Sequence, residues 1–513
     1  MKKIFKMSMI SIAFLAVMTF NIEAANTPKK GGTLRYGTVS EVSSLDPHIY
    51  VGSAWKVLID ALYSQLVSYN QNAELVPELA ESWQVPDAKT LILTLRKGLV
   101  FHDGTPLTAE DVKYSLERIK SPDSGATLRP NLKDANITVV SKYVIKIENS
   151  MPDATLLSVL ALPEASIISQ KWMGTKPNIK VEVNGSGPFK LSNYEPSIKA
   201  VLLRNENYFI KDQPYLDRID FRMIKDADAR VNALRTGAVD MIDFVPWKDI
   251  DNLSRNPVLK VDSAGGAFMS LWYNATKKPF NDPRVRRAIS FAIDRIAVSR
   301  AAFFGHGEPL FGPPTTEDSP FFNQELANSY SHDVAKSKAL LAEAGIKDGF
   351  KVEIGVYQGL IIYTTTAQII QANLKEVGID ANIKLLEWAN VVESKNSGNY
   401  DFLVYGVSVK HPDPAAYSYY FSSESSYWAK PIGFKDDKLE NLLTQGRTTA
   451  DFTSRKKIYQ EVEKRIMEIC PWTFINWRET AQAYNKKVQG YKQLGGGLAE
   501  ISPGIALPVL WIK

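Results

Sequence analysis

Cysteine is nearly absent from this chain of 513 residues, because Cys470 is the only one and no internal disulfide can form. Long apolar runs are scarce as well. The longest, residues 7–20, has about 14 residues, short of the roughly 20 that a membrane-spanning helix needs. Neither charge dominates, since the formal net charge is +5 without a basic block. These absences argue against a disulfide scaffold, an integral membrane protein and a nucleic-acid-binding protein.

Motifs of catalysis and of metal binding are also missing from the sequence. None of the five histidines is paired with another at the spacing of metal ligands, and there is no cysteine cluster. The sequence has no Gly-x-Ser-x-Gly elbow and no phosphate-binding loop. His102 and Asp103 are adjacent in a predicted turn, where neighbouring side chains point apart. We therefore predict no catalytic residue, no metal ligand and no cofactor, and an enzyme is the minor alternative.

The N-terminus has the pattern of a secretory signal peptide. Three lysines among the first six residues precede the apolar residues 7–20, and Ala24 ends an acceptable cleavage signal. We predict cleavage after about Ala24, with an uncleaved anchor as the alternative. Loss of the three lysines and Glu23 would lower the net charge to +3. Because no cysteine is available there for a lipid anchor, the pattern predicts a free periplasmic protein and not a lipoprotein.

The rest of the chain alternates predicted strands and helices. Residues 109–120 have a helical apolar face, and Thr108 and Asp111 are spaced to form a capping box at its start. Asp282 before Pro283 predicts the start of another helix, whose buried face extends to Ile296. The alternation predicts an α/β fold class, and the length exceeds what one core can hold and suits two or three domains.

The arginines of the second helix are open to two interpretations. Arg284, Arg286, Arg287 and Arg295 form either an anion-binding patch or an ordinary solvated helix face. The second is favoured, because charged side chains mostly remain at the surface.

Three stretches of the sequence resemble one known family. In chain order they are RKGLVFHDGTPLTAEDVKYSLERI from Arg96 to Ile119, GSGPFKL from Gly185 to Leu191, and PFNDPRVRRAISFAIDR from Pro279 to Arg295. The chain resembles the family 5 extracytoplasmic solute-binding proteins, the dipeptide, oligopeptide and nickel receptors of ABC importers. The resemblance covers essentially all of the expected mature chain.

The resemblance implies an α/β fold of the periplasmic-binding-protein type. Two lobes form a Venus flytrap (class II, cluster C), with an extra satellite domain inserted in lobe one. The expected division is a signal peptide (1–24), lobe one (25–66, 188–272 and 483–513), the satellite domain (67–187) and lobe two (273–482).

The resemblance also implies the function of a periplasmic substrate-binding component of an ABC importer. The protein is expected to capture peptides, or peptide-like and acidic amino-acid derivatives, in a cleft between the lobes and to deliver them to an inner-membrane permease. Its expected partners are that small-molecule or peptide ligand and the permease complex, with no nucleic acid, and it is expected to be a monomer. A receptor for an oligosaccharide or a metal chelate, and a periplasmic peptide hydrolase, are the alternatives.

The segment Asn399–Tyr420 resembles the family motif in which a strand delivers an aspartate to the cleft, where it holds the α-ammonium group of a peptide. Counted from Gly406 to the turn at Asp413, that position is Lys410 here, and Val407 stands where the family has a tryptophan. Lysine repels an ammonium group, so a cleft-facing Lys410 predicts a ligand with a carboxylate or another anionic group. The alternatives are that Lys410 turns to solvent or that another residue supplies the anchor.

Three aromatic residues complete the predicted ligand site. Trp388 resembles a family tryptophan near the ligand and would offer a flat apolar wall, with a core position as the alternative. Tyr405, next to Gly406, is expected to project toward the same space. Tyr273 lies at the predicted crossover between the lobes and is a further candidate contact.

Overall fold

The computed structural model describes residues 27–38, 42, 44–49, 53–317, 319–407, 413–423, 433–494 and 502–513. Its strands, in chain order, are β1 (Thr33–Thr38), β2 (Val67–Tyr69), β3 (Leu75–Pro77), β4 (Ala80–Asp87), β5 (Thr90–Leu95), β6 (Asn136–Ser141), β7 (Val144–Glu148), β8 (Phe189–Glu195), β9 (Lys199–Arg204), β10 (Arg218–Met223), β11 (Met241–Ile242), β12 (Leu259–Tyr273), β13 (Phe350–Tyr357), β14 (Ile379–Leu386), β15 (Phe402–Val407), β16 (Trp472–Asn485), β17 (Val488–Gln489) and β18 (Trp511–Ile512).

The α-helices of the described residues connect and cover these strands. In chain order they are α1 (Ser53–Leu62), α2 (Ala109–Lys120), α3 (Arg129–Leu132), α4 (Leu156–Leu160), α5 (Gln170–Met173), α6 (Ala227–Arg235), α7 (Trp247–Ser254), α8 (Pro283–Ala292), α9 (Arg295–Ala302), α10 (Val334–Glu343), α11 (Ile361–Glu376), α12 (Trp388–Ser397), α13 (Ala416–Phe421), α14 (Asp437–Thr448) and α15 (Phe452–Ile469).

One sheet of ten strands runs through two halves of the molecule, in the order β14-β13-β15-β12-β16-β11-β1-β10-β9-β8. We call the half with β8, β9, β10, β1 and β11 lobe one, and the half with β13, β14 and β15 lobe two. The two longest strands, β12 and β16, are antiparallel to each other and join the halves, because β16 pairs with β11 in lobe one and β12 pairs with β15 in lobe two. The predicted α/β class is confirmed by this architecture.

The burial of β12 changes along its length near the point where the strand gains a second neighbour, since it pairs with β16 from Leu259 to Trp272 and also with β15 from Phe268 onward. Residues 259–266 are mostly exposed or half-buried, whereas residues 267–273 are all buried, as expected where a sheet is covered on both faces. The register with β16 shifts between Ala264 and Ala267, a β-bulge that contains two glycines. We call this bulge the crossover. The predicted boundary after residue 272 lies at the far end of the same strand, and the domain division stays a prediction.

A separate antiparallel sheet, β4-β5-β7-β6, belongs to the smaller unit that corresponds to the expected satellite domain. The predicted capping box at its helix α2 is confirmed, since the backbone N–H of Thr108 donates to the Asp111 carboxylate at 3.0 Å. Val112, Leu116 and Ile119 are fully buried in the core beneath this sheet. The most family-like stretch of the sequence is therefore a structural element of the satellite unit.

The predicted helix after Asp282 is in fact two helices. Asp282 caps α8 and Pro283 opens it, as predicted, but a break at residues 293–294 separates α8 from α9. Ile296 is 46% exposed, so its predicted burial is wrong. The break sets α9 on a new axis, and the apolar periodicity of α8 does not carry across it.

Two arginines of this region are buried and hold lobe two together. Arg286 donates to the carbonyl oxygen of Cys470 at 2.9 Å, and Arg295 donates to those of Phe474 and Tyr330, both at 2.8 Å. Burial lowers the pKa of Arg286, and it lowers the pKa of Arg295 to about 10. Arg286 and Arg295 therefore belong neither to an anion-binding patch nor to a solvated helix face, and both interpretations are wrong for them. Their guanidinium groups donate to main-chain carbonyls instead.

Candidate functional site between the lobes

The carboxyl ends of parallel strands in both lobes face the same short interval of β16. In lobe one, the backbone N–H of Val245, just after β11, donates to the carbonyl oxygen of Ala481 on β16 at 3.0 Å. In lobe two, β15 ends at Val407, level with Trp477 of β16. β11 and β15 run in opposite directions, so their carboxyl ends face each other across residues 478–480 of β16. The flanking residues Trp477 and Ala481 are about 13 Å apart along the strand. We call the space beside residues 478–480, between these strand ends, the interlobe interval. Open α/β sheets bind ligands outside the carboxyl ends of their strands, so the fold places a site in this interval.

Lobe two lines its side of the interval with residues that follow its parallel strands. β13 ends at Tyr357, β14 is followed by Trp388, and β15 ends at Val407. Because β13 is parallel to both neighbours, these three ends meet at one edge of the sheet. The Gln358 side chain donates to the Glu387 carboxylate at 2.5 Å and holds the first two connections together.

Trp388 is the outermost ring of an aromatic cluster at this edge. Its side chain is 40% exposed, while its ring centroid lies 5.5 Å from that of Tyr357 and 5.4 Å from that of Tyr405. Tyr357 in turn makes an edge contact with Tyr363 at 5.8 Å. The cluster fixes the orientation of Trp388 and leaves part of its ring open to contact another molecule.

Tyr405 supports this cluster from the interior. It is 2% exposed, and its ring stacks on Trp272 with centroids 4.4 Å apart. The structure therefore brings Tyr405 and Trp388 together, as the sequence analysis expected, with Tyr405 behind Trp388.

Tyr273 lies in the core of lobe two, apart from the other two aromatic residues. It is fully buried, and its hydroxyl forms hydrogen bonds with Thr473 and with the carbonyl oxygen of Arg286. It ends β12, roughly 20 Å along the strand from the crossover at Ala267. Its contact with a ligand stays a prediction, and the site described below does not use it.

Lys410 falls within residues 408–412, outside the described residues. The described chain ends at Val407 and resumes at Asp413, whose carboxylate pairs with Arg455 at 2.5 Å. The ligand contact predicted for Lys410 stays a prediction. The helix that follows, α13, buries Tyr417, Tyr420 and Phe421.

Arg478, one of two charged residues inside the interlobe interval, was not predicted from the sequence. It lies on β16 opposite Ala267, where β12 leaves the bulge and enters lobe two. Within the described part of the chain it has neither an ion-pair partner nor a hydrogen-bond acceptor, and its Nε is buried. The sequence offered no clear signal, since six of the other thirteen residues of β16 are also polar or charged.

Gly406 is the residue that allows Arg478 to lie against lobe two. A Cβ atom at this position would run into the Tyr363 hydroxyl and would lie 2.9 Å from Nη1 of Arg478. A side chain larger than a hydrogen atom would therefore displace the guanidinium or the tyrosine.

A cavity of about 340 Å³ lies beside the crossover, lined by Gly265, Trp477 and Glu463 among others. Glu463 is 1% exposed and accepts hydrogen bonds from the hydroxyls of Thr315 at 2.5 Å and Tyr417 at 2.9 Å. Burial raises the pKa of Glu463 to about 7, although both hydroxyls act in the opposite direction. This carboxyl therefore changes its protonation near neutral pH.

Lobe two also contacts the satellite unit directly. The Tyr419 hydroxyl donates to the side-chain oxygen of Asn131 at 2.7 Å, and Arg447 pairs with Asp153 at 2.7 Å. The backbone N–H of Ala154 donates to the carbonyl oxygen of Arg447 at 2.8 Å. These contacts hold lobe two against the satellite unit in this structure.

None of the helices in the described residues is both long and apolar enough to cross a membrane. The described residues also contain no group of three histidine, cysteine, aspartate or glutamate side chains arranged to hold a metal ion.

Comparison with known proteins gives one consistent result. The family model described as "Bacterial extracellular solute-binding proteins, family 5 Middle" matches residues 74–428. The chain is 26% identical over 501 residues to the oligopeptide-binding protein AppA of Bacillus subtilis, which covers 92% of this chain and 90% of the relative.

Solved structures of similar proteins share the whole architecture. AgaA from A. tumefaciens R10, in complex with agropinic acid, is 34% identical, with a TM-score of 0.83 over 94% of this chain and 99% of that one. DppA from Helicobacter pylori, in complex with the peptide STSA, is 25% identical, with a TM-score of 0.81 over the same shares.

These comparisons confirm the predicted two-lobe fold and the predicted family. They also confirm the predicted binding role in place of an enzymatic one, because the members of this family are solute-binding proteins. The chain belongs to the bacterial extracellular solute-binding proteins, family 5.

Proposed function

We propose that this chain is the receptor of an ABC importer, which captures a peptide or an acidic, peptide-like amino-acid derivative between its lobes and delivers it to an inner-membrane permease. The observation that carries the proposal is the interlobe interval, where strand ends of both lobes face each other and Trp388 leaves part of its ring exposed. Closure of the lobes around the ligand would bury that ring, and no chemical step is required.

The ligand class is supported by the relatives. AgaA was solved with agropinic acid, and it is more similar to this chain, at 34% identity, than DppA with its peptide STSA, at 25%. An acidic ligand also agrees with the lysine at position 410, where the family motif has an aspartate. We therefore place acidic amino-acid derivatives before peptides with a free amino terminus.

The site that we propose has Trp388 as its wall, Tyr405 as the support of that wall and Lys410 as a cationic contact. The division into lobe one, satellite domain and lobe two at the expected boundaries is part of the same proposal. So are export by residues 1–24 with cleavage after Ala24, a free periplasmic protein without a lipid anchor, a monomeric state and the absence of nucleic acid as a partner.

Calorimetric titration tests this function. The protein is unfolded in denaturant, dialysed to remove any retained ligand and refolded, and agropinic acid and the peptide STSA are then titrated separately. We expect saturable 1:1 binding of at least one of them. Mass spectrometry of the STSA sample should show the peptide intact, whereas cleavage would identify a hydrolase, and the absence of binding by both compounds would contradict the proposal.

A further inference from the structure

Arg478 has a position and an environment that a structural role does not explain. Most buried or half-buried arginines of this protein have evident partners: Arg286 and Arg295 donate to main-chain carbonyls, and Arg455 pairs with Asp413. Arg478 has no such partner within the described residues, although it is half-buried and its Nε is out of reach of solvent. Because arginine keeps its charge in proteins, an unpaired guanidinium in this setting costs stability.

The carboxylate closest to Arg478 along the chain, that of Glu479, does not pair with it. Glu479 accepts a hydrogen bond from the Ser263 hydroxyl at 2.8 Å, and successive residues of a strand point to opposite faces. On its own face, Arg478 lies against Gly406, which offers it no negative charge. The described surroundings therefore leave the guanidinium uncompensated.

The place of Arg478 in the fold is the second observation. It is one of the three residues of β16 that lie between the facing strand ends, and Gly406 belongs to the strand end of lobe two. Its guanidinium is thus held at the wall of the interval in which the fold places a ligand. Gly406 keeps this position open, since any side chain there would meet Nη1 of Arg478.

We propose that Arg478 is the specificity-determining anchor for a carboxylate of the captured solute. The inference rests on the proposed receptor function and narrows its ligands to molecules with at least one carboxylate within reach of β16. A guanidinium presents two parallel N–H donors to a carboxylate, which makes the interaction stronger and more directional than a point charge would. The carboxylate supplies the counter-charge that none of the described residues provides at this position.

The experiment compares two probes with their uncharged derivatives. Agropinic acid is paired with its methyl ester, and the peptide STSA with its C-terminal amide, and all four are titrated into wild type, Arg478→Gln and Arg478→Lys. Arg300→Gln is the matched control, because Arg300 is an exposed arginine of lobe two on α9. Circular dichroism and thermal unfolding of each variant show whether it is folded.

We expect the wild type to bind a charged probe at least tenfold more tightly than its uncharged derivative. Arg478→Gln should remove most of that preference, Arg478→Lys should retain part of it, and Arg300→Gln should leave it unchanged. If the wild type binds an acid and its uncharged derivative equally, the anchor is refuted even if no variant folds. Equal preference in wild type and folded Arg478→Gln refutes it as well. In both cases binding itself survives, whereas failure of the receptor proposal would leave the wild type without binding to any of the four compounds.

Discussion

Replacement of Trp388 by alanine should weaken ligand binding without unfolding the protein. The ring is 40% exposed in this structure, and closure of the lobes on a ligand would cover that part. A tryptophan side chain can bury up to about 250 Å², so about 100 Å² remains to be covered. At roughly 25 cal/mol per Å², this area contributes at most about 2.5 kcal/mol, or about 60-fold in Kd.

Calorimetry with agropinic acid and STSA measures this loss, and Trp388→Phe should restore part of the affinity. Phe452→Ala is the control, because Phe452 is also a half-exposed aromatic residue of lobe two, at 51%. Its neighbouring ring, at 5.3 Å, is Phe321, which is not part of the aromatic cluster around Trp388. An affinity of folded Trp388→Ala within twofold of wild type would refute the assignment of Trp388 as a wall of the site.

Three further predictions follow from contacts around the interval. Gly406→Ala places a Cβ atom against the Tyr363 hydroxyl, so binding of the same probes should weaken at least tenfold, and unchanged affinity in calorimetry would contradict the role of this close approach. Glu463→Gln should flatten the dependence of stability on pH. The wild-type carboxyl has a pKa of about 7 in the folded protein and an ordinary value of 4.5. Its contribution to the free energy of unfolding is therefore complete below pH 4.5 and is lost as the pH rises through 7. Urea unfolding should therefore show about 3 kcal/mol of loss in wild type that the variant lacks, and equal slopes would exclude the buried acid as the cause. Arg447→Gln removes a partly exposed ion pair with Asp153, between lobe two and the satellite unit. Ligand binding measured by calorimetry should weaken only about twofold, and by less at high salt, because exposed ion pairs contribute little. A tenfold loss would show that this pair is stronger than exposed pairs usually are.

Local features of the fold could be predicted from the sequence because their causes are local. The capping box of Thr108 and Asp111 and the start of α8 at Pro283 depend only on residues within one helical turn. The apolar neighbours of Cys470 in the sequence favour a buried thiol, and this side chain is 1% exposed, with its pKa raised by burial.

Long-range contacts could not be predicted in the same way. The partners of Arg286 and Arg295 include main-chain carbonyls that are 184 and 35 residues away, which no periodicity reveals. The interior position of Tyr273 follows from the length of β12, whose lobe-two part is covered on both faces.

The candidate site was predictable only in part. The resemblance to the family pointed to Trp388 and Tyr405, and the structure places these rings together. Arg478 was missed because its position between the lobes depends on the point at which β12, already paired with β16, also begins to pair with β15. Sequence spacing alone carries no information about where a strand passes from one lobe to the other.

Native mass spectrometry of the freshly purified protein tests the central claim most directly, that two lobes hold one small acid between them. We expect a single non-covalent adduct that is released on denaturation and carries a carboxyl group, or, for protein stripped of cargo, a 1:1 adduct with added agropinic acid or STSA. A bare polypeptide mass that persists after incubation with both compounds would contradict this account.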